Sequence, residues 1–89
     1  MKLKFNLGKP GQKHIYFSVE QEKREPFIYL VNGRMLSCIQ QSELNDLINQ
    51  GHYFAVVEYL ESICDENLDH GRVFSMCDTV LKNFIMESV

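Results

Sequence analysis

The sequence predicts an α+β fold in which a four-stranded antiparallel β-meander in the N-terminal half is packed on one face by two to three C-terminal α-helices. Three observations carry this expectation. Apolar and polar residues alternate over much of the first 40 positions, Asn32-Gly33 stands between two apolar runs, and beyond Gln40 the apolar spacing changes to i, i+3, i+4. A run of strands followed by a run of helices buries its apolar surface most simply as a sheet with helices against one side. The chain shows no internal repeat, low-complexity stretch or linker, so a single domain over 1–89 is expected.

The first strand, about 2–7, follows from Leu3, Phe5 and Leu7 alternating with Lys2, Lys4 and Asn6. Gly8-Lys9-Pro10-Gly11-Gln12 is turn chemistry, since proline fixes φ and glycine supplies positive φ. A second strand at about 13–20 turns Ile15, Phe17 and Val19 inward and His14, Tyr16, Ser18 and Glu20 outward. The charged stretch from Gln21 to Pro26 is a solvated connection. The third strand, about 27–31, is apolar on both alternations, which places it inside the sheet or covers both its faces. Asn32-Gly33 then forms a type I′ hairpin, because that turn requires positive φ at both central residues. A fourth strand, about 34–40, closes it.

Helical spacing begins with a short helix at about 43–50, with Ser42 as its N-cap, Leu44, Leu47 and Ile48 on one side and Gly51 as its stop. Over about 52–66 the positions Tyr53, Val56, Val57, Leu60, Ile63 and Cys64 make one apolar stripe. A last helix, about 70–87, is capped by Asp69, with Leu68 and Val73 at the N′ and N4 positions of a hydrophobic staple.

Composition narrows the classes of function. With 89 residues, 45% hydrophobic and 24% charged, the chain has the balance of an ordinary globular domain with one core. A stability on the order of 0.1 kcal/mol per residue leaves little surplus for a strained, desolvated active site, so an enzyme is not expected. No segment approaches the length of a membrane span or a secretory h-region, and Cys38, Cys64 and Cys77 are odd in number and lack a disulfide spacing. A cytoplasmic protein with reduced thiols is the expectation. Residues 1–40 carry seven bases against three acids, whereas residues 41–89 carry nine acids against two bases, a local balance of −7. Such asymmetry points to a charged partner.

No cofactor or metal is expected. His14, His52 and His70 with the three cysteines contain no close ligand pair of the C-x₂₋₄-C kind, and Cys64 and Cys77 lie on apolar stripes where a thiol behaves as a small hydrophobe. No nucleophile-elbow signature surrounds a Ser or Cys, and Gly8-Lys9-Pro10-Gly11 lacks phosphate-loop spacing.

Two charged surfaces remain as candidates. Glu58, Glu61 and Asp65 share the side of the second helix away from its apolar stripe, with Glu66 and Asp69 just beyond. A solvated helix face is the plain reading. The sharper one is an anionic docking surface for a basic protein partner, as in an immunity protein, an antitoxin or a phage-type inhibitor of a nuclease toxin, because Arg72 is the one base between Glu43 and Asp78. The alternative is nucleic-acid binding by the outer sheet face, where Lys2, Lys4, His14 and Tyr16 would track phosphates and stack a base. An acidic protein meets a long-range penalty there, so nucleic acid is the less favoured partner. A second alternative is a homodimeric structural subunit, using Ile28 and Leu30, or their alternates on the third strand, where helices on one face leave them uncovered.

Overall fold

The structure, a computed structural model, describes residues 1–85. Its strands are β1 (Lys2–Asn6), β2 (Tyr16–Glu20), β3 (Ile28–Val31) and β4 (Arg34–Met35), followed by helices α1 (Cys38–Asn49), α2 (Tyr53–Cys64) and α3 (His70–Val80). The sheet order is β1-β2-β3-β4 with every neighbour antiparallel, the expected meander. After Val80 the last helix widens into a π-helical turn, Leu81–Ile85; the end of the expected helix at 86–87 lies outside the described residues.

Register decides which side chains face the helices. Phe5 pairs with Phe17 and Phe17 with Val31, while Leu3 pairs with Val19 and Val19 with Tyr29. Because side chains alternate across a strand, these rows share one face. Phe17, Val19, Tyr29 and Val31 are buried there in one cluster with Leu44 and Ile48 of α1, Val56, Val57 and Leu60 of α2, and Val73, Met76, Cys77 and Val80 of α3. Full burial of one such aliphatic side chain contributes about 1.5–3 kcal/mol relative to leaving it in water. On the opposite face Ile28 and Leu30 are half-buried and Met35 is 65% exposed. The doubly apolar third strand is thus an inner strand, flanked by β2 and β4.

The hairpin turn is as its residues require, with φ of 49° at Asn32 and 81° at Gly33. The Asn32 side chain also accepts a hydrogen bond from the Tyr16 N–H at 3.0 Å, tying the turn to β2. Beyond it, the expected strand over 34–40 is corrected to two residues, and α1 starts at Cys38 instead of 43. The cause is a capping box: the Ser37 hydroxyl accepts from the Gln40 N–H at 3.2 Å, and the Gln40 side chain accepts from the Ser37 N–H at 3.1 Å. With β4 cut short, β3 completes its hydrogen bonding through Gln41 of α1. That amide donates to the Phe27 carbonyl at 2.6 Å and accepts from the Tyr29 N–H at 3.2 Å. Ser42, the expected cap, lies inside the helix.

The second helix ends two residues short of its expected limit, where Asp65 adopts a left-handed conformation with φ of 54°. The third begins as its sequence requires: Asp69 is the N-cap, and the staple residues Leu68 and Val73 are both fully buried. The α2–α3 connection is fastened to the first turn of the chain. The Asp69 N–H donates to the Leu7 carbonyl at 2.9 Å, Gly8 bridges Leu68, and the Arg72 guanidinium donates to the Gly8 carbonyl at 3.1 Å. Asn6 Oδ1 gathers the other side of that turn by accepting from the Gly8 N–H at 3.0 Å and the Ile15 N–H at 3.2 Å. No described helix is long and apolar enough to cross a membrane.

Candidate functional site

The buried stripe of α2 orients its opposite side. With Val56, Val57 and Leu60 in the core, Phe54, Glu58, Glu61 and Asp65, spaced at i, i+4, i+7 and i+11, align on the far side of the helix and its C-terminal continuation. Phe54 is 66% exposed, a large apolar ring at the head of an acidic row. The first turn of α3 supplies a platform beside it, because His70 and Phe74 are one turn apart on a single face. Phe54 stands nearly perpendicular to both rings, with centroids 5.0 Å from Phe74 and 6.1 Å from His70, the edge-to-face arrangement that aromatic quadrupoles favour. Tyr53 extends the group, its ring 6.2 Å from Phe74. Its hydroxyl donates to Asp78 Oδ1 at 3.0 Å, and burial followed by this carboxylate pushes the hydroxyl up to about 12.

The five acids named from the sequence divide by what they touch. Glu61 is half-buried, and its Oε2 accepts from the Leu68 N–H at 2.9 Å, closing the turn out of α2. Asp69 accepts from the Arg72 N–H at 3.0 Å as the cap of α3. Glu66 pairs with Lys13 at 3.6 Å across to the N-terminal turn. Glu58 and Asp65 are exposed and, among the described residues, neither forms an ion pair. Glu61, Asp65 and Glu66 line one shallow depression with Asn67, so the structure brings these three together, while Glu58 lies up the helix toward Phe54.

The outer sheet face gathers the other candidates but engages them with one another. Lys2 pairs with Glu20 at 3.3 Å. The Lys4 ammonium lies 4.3 Å from the centroid of the Tyr16 ring, in a cation–π contact that covers one face of that ring. His14 Nδ1 and the Tyr16 hydroxyl share a hydrogen bond of 2.9 Å. The next row across the sheet, Ser18, Leu30 and Met35, continues from Lys4 without adding a base.

Among the described residues no three His, Cys, Asp or Glu side chains are grouped to hold a metal ion. Cys77 is buried and its thiol is pushed up to about 12, first by burial and then by Asp78; burial also raises the Cys64 thiol. Both are poor nucleophiles, since reactivity belongs to the thiolate. Cys38 is exposed at the start of α1.

Sequence reasoning missed Phe54 and Phe74, and weighed His70 only as a metal ligand. The signal was present: Phe54 is an aromatic residue off the apolar stripe, one turn before Glu58. Comparison with protein-family models, with curated proteins and with solved structures finds no significant match to this chain.

Proposed function

We propose that the chain is a protein-binding module, without catalytic chemistry of its own, that docks the α2–α3 face on a basic protein partner in the manner of an immunity, antitoxin or phage-type inhibitor of a nuclease. The observation that carries the reading is Phe54, 66% exposed at the head of a row whose Glu58 and Asp65 have no cationic partner among the described residues. Exposed aromatic side chains are the usual energetic anchors of interfaces, since they bury a large area with few torsions to freeze. Uncompensated carboxylates around such an anchor speed encounter with a basic surface and set its register. The sheet face has less to offer a nucleic acid, because Lys2 is neutralised and Lys4 already covers the Tyr16 ring.

The test is recovery of the tagged chain from its host's lysate at two salt concentrations, with and without nuclease, followed by kinetics on the co-purified protein. Phe54→Ala is expected to weaken binding about 10- to 100-fold, chiefly through faster dissociation. Replacing Glu58 and Asp65 together by Lys is expected to slow association and flatten its salt dependence. A partner whose association ignores that double replacement and whose affinity ignores Phe54→Ala docks elsewhere and overturns the proposal.

A further inference from the structure

We infer that the Phe54, His70 and Phe74 cluster, with Glu58 beside it, receives an arginine side chain of the partner. The inference rests on the protein-binding reading of the same face and names what that face selects. Phe54 offers an aromatic ring to solvent, and Glu58, one turn along, is its neighbour on the helix surface, with about 5–6 Å between the two Cβ atoms. A guanidinium is planar and weakly hydrated; it can lie on a ring while its N–H fork meets a carboxylate. An ammonium is a strongly hydrated point charge, satisfied by Glu58 without leaving water for the ring.

Other occupants fit less well. A purely apolar anchor over Phe54 would strip water from Glu58 and leave its charge unpaired. A second copy of this chain, face to face, would bring Glu58 and Asp65 against their like, with no exposed base on the stripe to answer them. The chain's own cations do not occupy the place: Arg72 donates to the Gly8 carbonyl, and the one cation–π contact among the described residues is made on the sheet, by Lys4 on Tyr16. The molecule thus closes one ring–cation pair internally and leaves the other ring and carboxylate presented outward.

The test uses the full chain, isotopically labelled, and two Gly/Ser-based peptides of equal length and charge, one carrying arginine and the other lysine at each basic position. Amide and aromatic shifts are followed by NMR through each titration. The arginine peptide is expected to bind about two- to fivefold more tightly than the lysine peptide, with the largest shifts on Phe54, Phe74 and Glu58. Phe54→Leu should abolish that preference while both peptides still bind, Phe54→Tyr should retain it, and Glu58→Gln should weaken both peptides. Equal affinities, or a preference that survives Phe54→Leu, would overturn the arginine assignment and leave the acidic docking face standing. Failure of both peptides to shift any resonance on this face would overturn the two together.

Discussion

The outer face of the sheet and the outer face of α2–α3 are both charged, both carry an aromatic ring, and differ in how far their interactions are internally complete. On the sheet, Lys2 answers Glu20, Lys4 caps the ring of Tyr16, and Tyr16 answers His14. On the helices, Phe54 meets two rings edge to face but keeps two thirds of its surface in water, and Glu58 and Asp65 find no cation among the described residues. Counting charges alone would favour the basic strand face for one partner and the acidic helix face for another. Asking which charges are already engaged favours the helices.

The most disruptive way to probe this comparison is to disturb the turn that joins both regions. A Cβ at Gly8 would stand 2.2 Å from the Lys13 carbonyl oxygen, a backbone atom that cannot swing aside. Gly8→Ala is therefore expected to destabilise the chain by about 2–3 kcal/mol. Urea unfolding followed separately by tyrosine fluorescence and far-ultraviolet dichroism should give one coincident transition. Two transitions would place the faces on units that unfold separately, contrary to their shared core.

A finer probe lies within the acidic row. Glu61→Ala removes the acceptor of the Leu68 N–H and should cost about 1–3 kcal/mol of stability, whereas Glu58→Ala should stay within about 0.5 kcal/mol and act on partner binding. Thermal melts of the two variants decide it, and equal costs would erase the distinction between an acid that closes the fold and one that faces outward.

Those two neighbours also show what could be read beforehand. The meander, the Asn32-Gly33 turn and the Asp69 cap were legible because each is a local pattern whose cause lies within a few residues. The start of α1 was not, because Arg34 to Gln40 can be read as a strand after the hairpin, and the competing Ser37–Gln40 capping box shows only as a pair of side chains three apart. The split among the acids was hidden for another reason. Whether Glu61 meets the Leu68 N–H depends on where Asp65 ends α2, a matter of tertiary packing. Phe54 was passed over because an amphipathic template scores the buried stripe and not an aromatic residue opposite to it.

Near neutral pH the shared core contributes no pH dependence through its thiol and phenol, and their effect appears only in alkali. In the folded chain the Cys77 thiol of α3 is raised from 9.0 to about 12 by burial, and the Tyr29 hydroxyl of β3 is raised by burial and by Cys77. Both groups hold their protons longer folded than unfolded, so the stability they contribute is complete below about 9 and falls as pH rises toward 12. Melting temperature is expected to decline as pH rises above about 9. A thiol reagent at neutral pH should label Cys38 first, Cys64 more slowly and Cys77 only on unfolding. Early labelling of Cys77 would mean that α3 leaves the core without unfolding of the whole chain.

The Gln41 amide, which completes the hydrogen bonds of β3, has a bearing on assembly. Beyond the two residues of β4, a sheet would ordinarily offer the Phe27 carbonyl and the Tyr29 N–H as a template for an incoming chain. In this molecule a side chain anchored on α1 occupies both positions, so a foreign strand arriving at that margin must first displace a helix-borne amide. The opposite margin is β1, where the long side chains of Lys2 and Lys4 turn back over the sheet to Glu20 and Tyr16. At the β4 margin a single helix-borne side chain stands where a barrel or a long covering loop would otherwise cover the backbone.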